Sequence, residues 1–251
     1  MRDLVRQKIE QKIGQKIERL RDELSRDDLD RTGRALRVAE LSLSAAGMSP
    51  TFGVGHERFY ELTEPPKQFR GLRDLRVRTA GPADIDALAA LDTTPAALVA
   101  ERLARGDIAY VGEADGRMLA HSWFHRGPEP FCEDAPALPR WEVAANTFWS
   151  YHAFTLAEAR TSGVFVKLFQ TALRELLIDH GAARVRCRVK VANAASVTLH
   201  ERLGFKALGT LITIGVPGAW LLSWQGPGPA RYWLERRTGE HIMTLPPRIP
   251  A

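Results

Sequence analysis

This chain of 251 residues has little cysteine, and it lacks long hydrophobic runs and a strong excess of one charge. Its two cysteines, Cys132 and Cys187, are too few for a disulfide framework or a cysteine-based zinc site, and they are typical of a reducing compartment. No stretch approaches the roughly 18 apolar residues that are needed to span a bilayer. The formal net charge of +5 suits an anionic ligand but is too small to indicate nucleic-acid binding.

The remaining composition is that of a globular protein, with 45% hydrophobic and 26% charged residues. The N-terminal residues 1–8 contain no apolar core of a secretory signal, so we expect a cytoplasmic protein. The sequence divides into an N-terminal helical extension over residues 1–70, a main domain over 71–225 and a C-terminal tail over 226–251.

Residues 1–46 are predicted to be helical, followed by a loop rich in glycine and proline from Gly47 to Pro66. One apolar stripe consists of Ile9, Ile13, Ile17, Leu20 and Leu24. The favoured interpretation is that this stripe packs on the body of the protein or on a partner helix in a homodimer. A membrane-surface helix is the lesser alternative, because the lysines and arginines fit but bulky aromatic residues are absent, and disorder is the third.

From Leu75 the pattern changes to alternating strands and helices, with a tight hairpin turn at Asp115-Gly116. The predicted strands lie at 75–78, 108–113, 118–124, 147–155, 183–189, 205–214 and 219–224, and the predicted helices at 82–88, 95–105, 164–180 and 194–203. The order is therefore strand, two helices, hairpin, strand, helix, strand, helix and further strands.

Two motifs stand at the starts of helices in this series. Arg160-Thr161-Ser162-Gly163 opens a long amphipathic helix, and a turn with open backbone amides at such a position can bind a pyrophosphate. Gly163 permits close approach of the backbone to a ligand, and Ser162 is expected to cap the helix. About thirty residues later, Asn193 leads into a short helix that ends in Leu203-Gly204-Phe205.

Together, these motifs and the order of the elements resemble the GNAT superfamily of acyl-CoA-dependent N-acetyltransferases over roughly residues 75–215. The resemblance implies an α/β fold with a mixed, mostly antiparallel central sheet flanked by helices. It also implies transfer of an acetyl or other acyl group from acetyl-CoA or another acyl-CoA to the amine of a small molecule, without a metal.

The resemblance assigns roles to several residues. Family members have a loop of the form Gln/Arg-x-x-Gly-x-Gly/Ala, which corresponds to 160–165 here, with Phe165 where a small residue is usual. Asn193 corresponds to an asparagine that contacts the pantetheine arm, and His200 to a tyrosine that often serves as general acid. An exposed position on the helix surface is the alternative for His200. The predicted coenzyme-binding residues are Thr155, Arg160, Thr161, Ser162, Gly163, Val164, Phe165, Asn193 and Ser196.

The predicted strand at 147–155 is expected to splay from its neighbour, so that a backbone amide on its edge polarises the thioester carbonyl. Unbroken alternation would put Trp149, Tyr151 and Ala153 on one face and Ser150, His152 and Phe154 on the other. His152 and Tyr151 are the candidate bases for the acceptor amine, with Glu142 and His121 as alternatives. In many family members no single base is essential, because water relays the proton.

One predicted strand has a cationic face, formed by Arg184, Arg186, Arg188 and Lys190. This face is either solvated or salt-bridged, or it is a binding site for the 3′-phosphate of the coenzyme or for an anionic acceptor. Two further functions remain as alternatives to acetyl transfer. One is a longer-chain acyl-CoA N-acyltransferase, and the other is a non-catalytic acyl-CoA-binding protein.

Overall fold

The computed structural model describes residues 34–36, 38–39, 53–68, 71–72, 74–129, 131, 140–216, 219–236 and 242–243. The strands, in chain order, are β1 (Gly53–Leu62), β2 (Arg76–Thr79), β3 (Ile108–Ala114), β4 (Arg117–Arg126), β5 (Arg140–Trp141), β6 (Thr147–Thr155), β7 (Arg184–Lys190), β8 (Lys206–Val216), β9 (Ala219–Gln225), β10 (Arg231–Arg236) and β11 (Ile242–Met243). The helices are α1 (Ile85–Asp92), α2 (Ala96–Ala104), α3 (Val164–Ile178) and α4 (Ala194–Arg202), with short 3-10 turns at Pro82–Asp84 and Ala157–Ala159.

Nine of the described strands form one sheet in the spatial order β10-β9-β8-β1-β7-β6-β4-β3-β2. The ladder between β6 and β7 is parallel, and the other ladders of this sheet are antiparallel. The short strands β5 and β11 pair separately. This arrangement confirms the predicted mixed, mostly antiparallel sheet with flanking helices, and each predicted element between 75 and 225 is present within a few residues of its expected bounds.

The loop predicted from Gly47 to Pro66 is wrong over β1, which is a ten-residue strand in the middle of the sheet. It pairs with β7 on one side and with β8 on the other. Because β1 belongs to the sheet, the helical extension ends before residue 53 rather than at 70. Residues 34–36 and 38–39 are helical as predicted, and the apolar stripe of Ile9 to Leu24 lies outside the described residues.

The two faces of the sheet are covered by different helices. On one face, α3 contacts β2, β3, β4, β6 and β7, while α4 contacts β7. Here Leu168, Phe169 and Leu173 of α3 pack with Phe124 and Val185 in one buried cluster. The opposite face holds a second cluster, which includes Leu88 of α1, Val99 of α2, Trp123, Trp149 and Tyr151.

The C-terminal region predicted as a tail contributes to the sheet. The strand β10 pairs with β9 along six residues and forms one edge of the nine-stranded sheet. Among the described residues, no helix is both long enough and apolar enough to cross a membrane.

Candidate functional site

The parallel ladder between β6 and β7 opens part of the way along the two strands. Its pairs run from Thr147 with Arg184 to Ser150 with Cys187. Beyond this point β6 continues to Thr155 and β7 to Lys190, but each strand pairs only with its other neighbour, β4 or β1. The predicted splay is therefore present, and it leaves unpaired strand edges on both sides of a cleft.

The cleft between these edges has a volume of about 540 Å³. Its vertex is formed by Ser150 and Cys187, the last pair of the ladder. Its walls come from the second half of β6, from the starts of α3 and α4, and from the end of β7. Of the predicted coenzyme-binding residues, Thr155, Arg160, Thr161, Gly163, Phe165, Asn193 and Ser196 line the cleft.

The turn before α3 presents open backbone amides to this cleft. Gly163 is the N-cap residue of α3 in the left-handed region, with φ of +87°. The backbone amides of Phe165 and Val166, in the first turn of α3, have no hydrogen-bond acceptor among the described residues. The helix dipole and these amides favour an anion at this position, as predicted for a pyrophosphate.

Ser162 does not cap α3 as predicted, because the capping position belongs to Gly163, which has no side chain. The hydroxyl of Ser162 instead donates to the carbonyl of Ala159 at 2.7 Å and accepts only a long 3.4 Å contact from the amide of Val164. Arg160 adds a cation beside the turn, with its Nε donating to the carbonyl of Thr155 at 3.2 Å.

Phe165, which departs from the family pattern, does not cover the open amides. Its ring stacks on that of Phe169, with the ring centroids 5.2 Å apart and the planes 17° apart. The side chain thus packs along α3 as part of the apolar wall of the cleft. A small residue at this position is not needed to leave the amide of Phe165 accessible.

Asn193 occupies the N-cap position of α4, where its side-chain oxygen accepts from the amide of Ser196 at 3.2 Å. A capping oxygen of this kind typically contributes about 1 kcal/mol to the stability of a helix. Asn193 is exposed and lines the cleft, and its contact with a bound pantetheine arm stays a prediction.

His200 lines the same cleft and is 6% exposed, so the alternative of a solvent-exposed helix residue is wrong. Its Nδ1 lies 2.7 Å from the backbone carbonyl of Ser196, which requires Nδ1 to donate. Nε2 therefore has a lone pair, and it has no partner within the described chain. Burial lowers the pKa of His200 below its ordinary value of 6.5, against a smaller opposite effect of the Ser196 hydrogen bond.

The alternation predicted for β6 is interrupted by a β-bulge at His152. Ser122 pairs with Ala153 and Trp123 pairs with Tyr151, which leaves His152 as the extra residue. Its φ of +41° lies in the left-handed region. Arg102 contacts both the ring of Tyr151 and Nδ1 of His152, so these two side chains share a face rather than alternating.

Both ring nitrogens of His152 are engaged by neighbouring charged groups. Nδ1 lies 2.5 Å from Nη1 of Arg102, which can only donate, so Nδ1 accepts. Nε2 lies 2.9 Å from Oδ2 of Asp92 and therefore donates. His121 also places its Nε2 2.8 Å from the same oxygen. The lone pair on Nδ1 is used to accept from Arg102, and Nε2 carries the proton that it donates to Asp92. His152 therefore does not fit the predicted role of a base for the acceptor amine.

Tyr151 does not fit that role either. Its hydroxyl donates to Oδ2 of Asp107 at 2.6 Å, and burial together with the Asp107 charge raises its pKa further above the ordinary value of 10.0. Glu142 is exposed and does not line the cleft. His121 is 1% exposed and bonded to Asp92, and its Nδ1 has no partner among the described residues.

Asp92, His121 and His152 have the composition of a metal site, with ligand atoms within 4.8 Å of one another. One observation favours a hydrogen-bond cluster instead. A metal on Nε2 of His152 would require both nitrogens of the ring to be deprotonated, because Nδ1 already accepts from Arg102. Independently of this question, burial acts to raise the pKa of Asp92, but hydrogen bonds from His121 and Thr94 outweigh it and hold this pKa well below its ordinary range.

The cationic face of β7 is salt-bridged to carboxylates of β1. Glu61 pairs with Arg184 at 3.2 Å and with Arg186 at 2.8 Å, and Glu57 pairs with Arg188. Arg188 also lines the cleft. The salt-bridged alternative is thus confirmed for these three arginines, and Arg160 is the other arginine among the described lining residues.

Sequence reasoning did not single out Asp92, Arg102, Asp107 or Tyr60. Tyr60 of β1 stacks on the ring of His200, with centroids 5.8 Å apart, and donates to Glu201 at 3.1 Å. Asp92 ends α1, Arg102 lies within α2, Asp107 lies between α2 and β3, and Tyr60 lies in the segment predicted as loop. Helix packing brings Asp92 and Arg102 to the site and strand pairing brings Tyr60, so no local sequence pattern marks them.

No family model matches the sequence, and no curated protein matches it. Solved structures of acetyltransferases are similar to the chain. One is a protein assigned to the GNAT family from Novosphingobium aromaticivorans, at 18% identity and a TM-score of 0.47, over 66% of each chain. A second is the aminoglycoside N-acetyltransferase AAC(6')-Iy with a bisubstrate analogue, at 17% identity and a TM-score of 0.42, over 53% of this chain and 90% of that one.

A third is a GNAT-family acetyltransferase from Colwellia psychrerythraea, at 14% identity and a TM-score of 0.45, over 69% of this chain and 62% of that one. The chain thus spans just under two thirds of the length of the first and third of these proteins. These similarities concern overall shape, whereas the cleft between β6 and β7 is a property of this chain itself.

Proposed function

We propose that this protein is a GNAT-type N-acyltransferase, which moves an acetyl or other acyl group from coenzyme A to the amine of a small molecule. The observation that supports this most is the opening of the β6–β7 ladder at Ser150 and Cys187, with the starts of α3 and α4 facing into it. The open amides of Phe165 and Val166, beside Arg160, would bind the pyrophosphate.

In this proposal the pantetheine arm lies between the two separated strand edges, where Asn193 contacts it. The thioester carbonyl then faces the backbone of β6 near the bulge at His152. An N–H group on that edge stabilises the negative charge that develops on the carbonyl oxygen. Acyl-CoA is a co-substrate here, and no step requires a metal.

The reaction begins with attack of a neutral amine on the thioester carbon, which forms the C–N bond and an oxyanion. Collapse of this intermediate breaks the C–S bond and releases a thiolate. The nitrogen must lose one proton and the sulfur must gain one. His200 is suited to move that proton, because it is neutral at the start and Nε2 has a lone pair.

The acceptor, the acyl length and the assembly belong to the same proposal. The amine is that of a small molecule, and acetyl-CoA is the first donor to test. A longer acyl-CoA and a non-catalytic role in acyl-CoA binding are the alternatives. The N-terminal extension would pack on the body or on a second copy in a homodimer, and a cytoplasmic location remains our expectation.

The test is release of free thiol from acetyl-CoA by the full chain, measured with a panel of primary amines and followed by mass detection of the acylated amine. Amine-dependent thiol release supports an N-acyltransferase. If acetyl-CoA and longer acyl-CoAs bind but no amine in the panel is acylated, the non-catalytic alternative is favoured. If only longer donors react, the donor assignment changes while the reaction class stands.

A further inference from the structure

We propose that Asp92 and Arg102 are positioning residues that hold His152, and with it the bulge of β6, in the conformation that aims the backbone at the thioester carbonyl. This inference rests on the proposed function. In this inference His152 is not a base for the acceptor amine. Its side chain instead holds the backbone of His152 itself in place.

The backbone at His152 would not be expected to adopt its conformation unaided. A φ of +41° is in the left-handed region, which side chains with a Cβ rarely adopt. In one common type of β-bulge the residue at this point is glycine, for the same reason. Conformations of this kind persist where the surroundings impose them, and they cluster at functional sites.

The surroundings of His152 impose its conformation from two sides. Arg102 donates to Nδ1 at 2.5 Å, and Asp92 accepts from Nε2 at 2.9 Å. Arg102 is 3% exposed, and its guanidinium lies over the rings of Trp123 and Tyr151 at 5.2 and 5.4 Å. The Asp92 side chain is also 3% exposed. Two buried, immobilised charges therefore fix the imidazole, and the imidazole fixes the backbone that follows it.

We call the pair of Asp92 and Arg102 around His152 the clamp. Asp92 also joins the bulge to the turn between α1 and α2. Oδ1 of Asp92 accepts from the amide of Thr94 at 3.0 Å, while Oδ2 accepts from His152 and His121. The adjoining Thr93 has a left-handed backbone as well, with φ of +63°. The α1–α2 turn and the bulge thus share one carboxylate, and removing it would release both.

The test replaces His152 by three residues that separate the possible roles. Asparagine cannot act as a base near neutral pH, but it tolerates positive φ and offers both an acceptor for Arg102 and a donor for Asp92. Glycine keeps the backbone conformation without strain and lacks the side chain. Alanine has neither property. Asp92→Ala removes the carboxylate that accepts from Nε2, while His152 itself remains.

The readout is the infrared carbonyl band of acetyl-CoA labelled with carbon-13 at the thioester and bound to the full chain. A hydrogen bond to the carbonyl oxygen moves this band to lower frequency. We expect His152→Asn and His152→Gly to retain most of the shift seen in the native protein, and His152→Ala and Asp92→Ala to lose most of it. Where turnover is measurable, His152→Ala should lower kcat by about a hundredfold, the effect of a misplacement of about 1 Å.

Equal shifts in all variants would overturn the proposal, as would equal losses in all three His152 variants. If His152 were a base instead, all three His152 variants would keep the shifted carbonyl band and lose turnover. If the native protein does not bind acetyl-CoA, the proposed function fails instead. Hydrogen exchange of the amides at 151–155 in the free protein then tests the clamp, which predicts at least tenfold faster exchange in His152→Ala than in His152→Asn.

Discussion

The imidazole of His200 donates from Nδ1 to the backbone carbonyl of Ser196, one turn earlier in α4, at 2.7 Å. This bond fixes the tautomer, so that the lone pair is on Nε2. The ring is held between Tyr60 and Phe169 in an apolar setting that disfavours the imidazolium. In the proposed mechanism His200 therefore starts as a neutral proton acceptor, and it donates only after it has taken a proton from the reacting amine.

Replacing His200 tests this role. We expect His200→Phe to lower turnover by about 10²–10³-fold, since a positioned proton-transfer group is lost. Coenzyme affinity should change little, because the proposed binding of the coenzyme uses backbone amides and Asn193 rather than His200. His200→Tyr should restore part of the activity. Equal turnover in the native protein and in His200→Phe would mean that solvent protonates the thiolate.

The pH dependence of kcat/KM provides a second test of His200. Because burial lowers its pKa, the neutral form should persist below pH 6.5, and activity should fall only at lower pH as Nε2 becomes protonated. This acidic decline should be absent from the residual activity of His200→Gln. A decline that begins above pH 6.5 in the native protein and persists in His200→Gln would assign it to another group.

The turn before α3 can be tested with two glycines of the same backbone conformation. Gly163 and Gly106 both have φ of +87°, and Gly106 lies outside the cleft with open space around it. Alanine at either position should cost about 1–2 kcal/mol of stability from the positive φ alone. We expect only Gly163→Ala to weaken acetyl-CoA binding, measured by calorimetric titration. Equal affinities for the two variants would remove the turn from the binding site.

The stability of the fold should depend on the buried carboxylate of Asp107. It accepts from His125, Arg105 and Tyr151, with its side chain 1% exposed. We expect Asp107→Ala to lower the free energy of unfolding by about 3–5 kcal/mol, the usual effect of breaking a buried charged pair. Urea unfolding measures this change. The exposed pair of Arg117 and Glu158 is the control, and Glu158→Ala should have little effect.

Acid should weaken the same interaction. Burial acts to raise the pKa of Asp107, but its hydrogen bonds outweigh this and hold the pKa below the ordinary 3.8. A depressed pKa in the folded state stabilises the protein above the unfolded-state pKa of about 3.9, and this contribution is lost as the pH falls further. The difference in the free energy of unfolding between the native protein and Asp107→Ala should therefore stay constant from pH 7 down to about pH 5 and shrink as the pH falls below about 4. A difference that stays constant below about pH 4 as well would contradict this.

The N-terminal extension remains a prediction from its apolar stripe. Deleting residues 1–46 should lower the melting temperature or change the sedimenting mass, because an exposed stripe of this length would otherwise need another partner. If the truncated protein melts and sediments unchanged, packing on the body or on a second copy is wrong. Binding to liposomes is then the next experiment.

Helices and strands could be predicted from the sequence where the apolar residues recur with a clear period. The elements from 75 to 225 follow regular helix or strand patterns, and the turn before α3 and His200 line the same cleft, although their roles stay predictions. The strand β1 lies in a segment predicted as loop, where Glu57 and Glu61 interrupt the apolar pattern. The arginines of β7 were the available signal, because they pair with these two glutamates.

The geometry around His152 could not have been read from the sequence. Alternation assumes an unbroken ladder, and a single inserted residue changes which side chains share a face. Asp92 and Arg102 lie far from His152 along the chain, and neither belongs to a motif. Their convergence depends on the packing of α1 and α2 against the sheet, which is a tertiary property.

The central claim is that the cleft opened beyond Ser150 and Cys187 binds an acyl-CoA. Thermal unfolding of the full chain with and without acetyl-CoA tests it most directly. At a hundredfold excess over the dissociation constant, we expect a stabilisation of about 2–3 kcal/mol, seen as a higher melting temperature. No change in melting temperature with acetyl-CoA or any longer acyl-CoA would contradict the account.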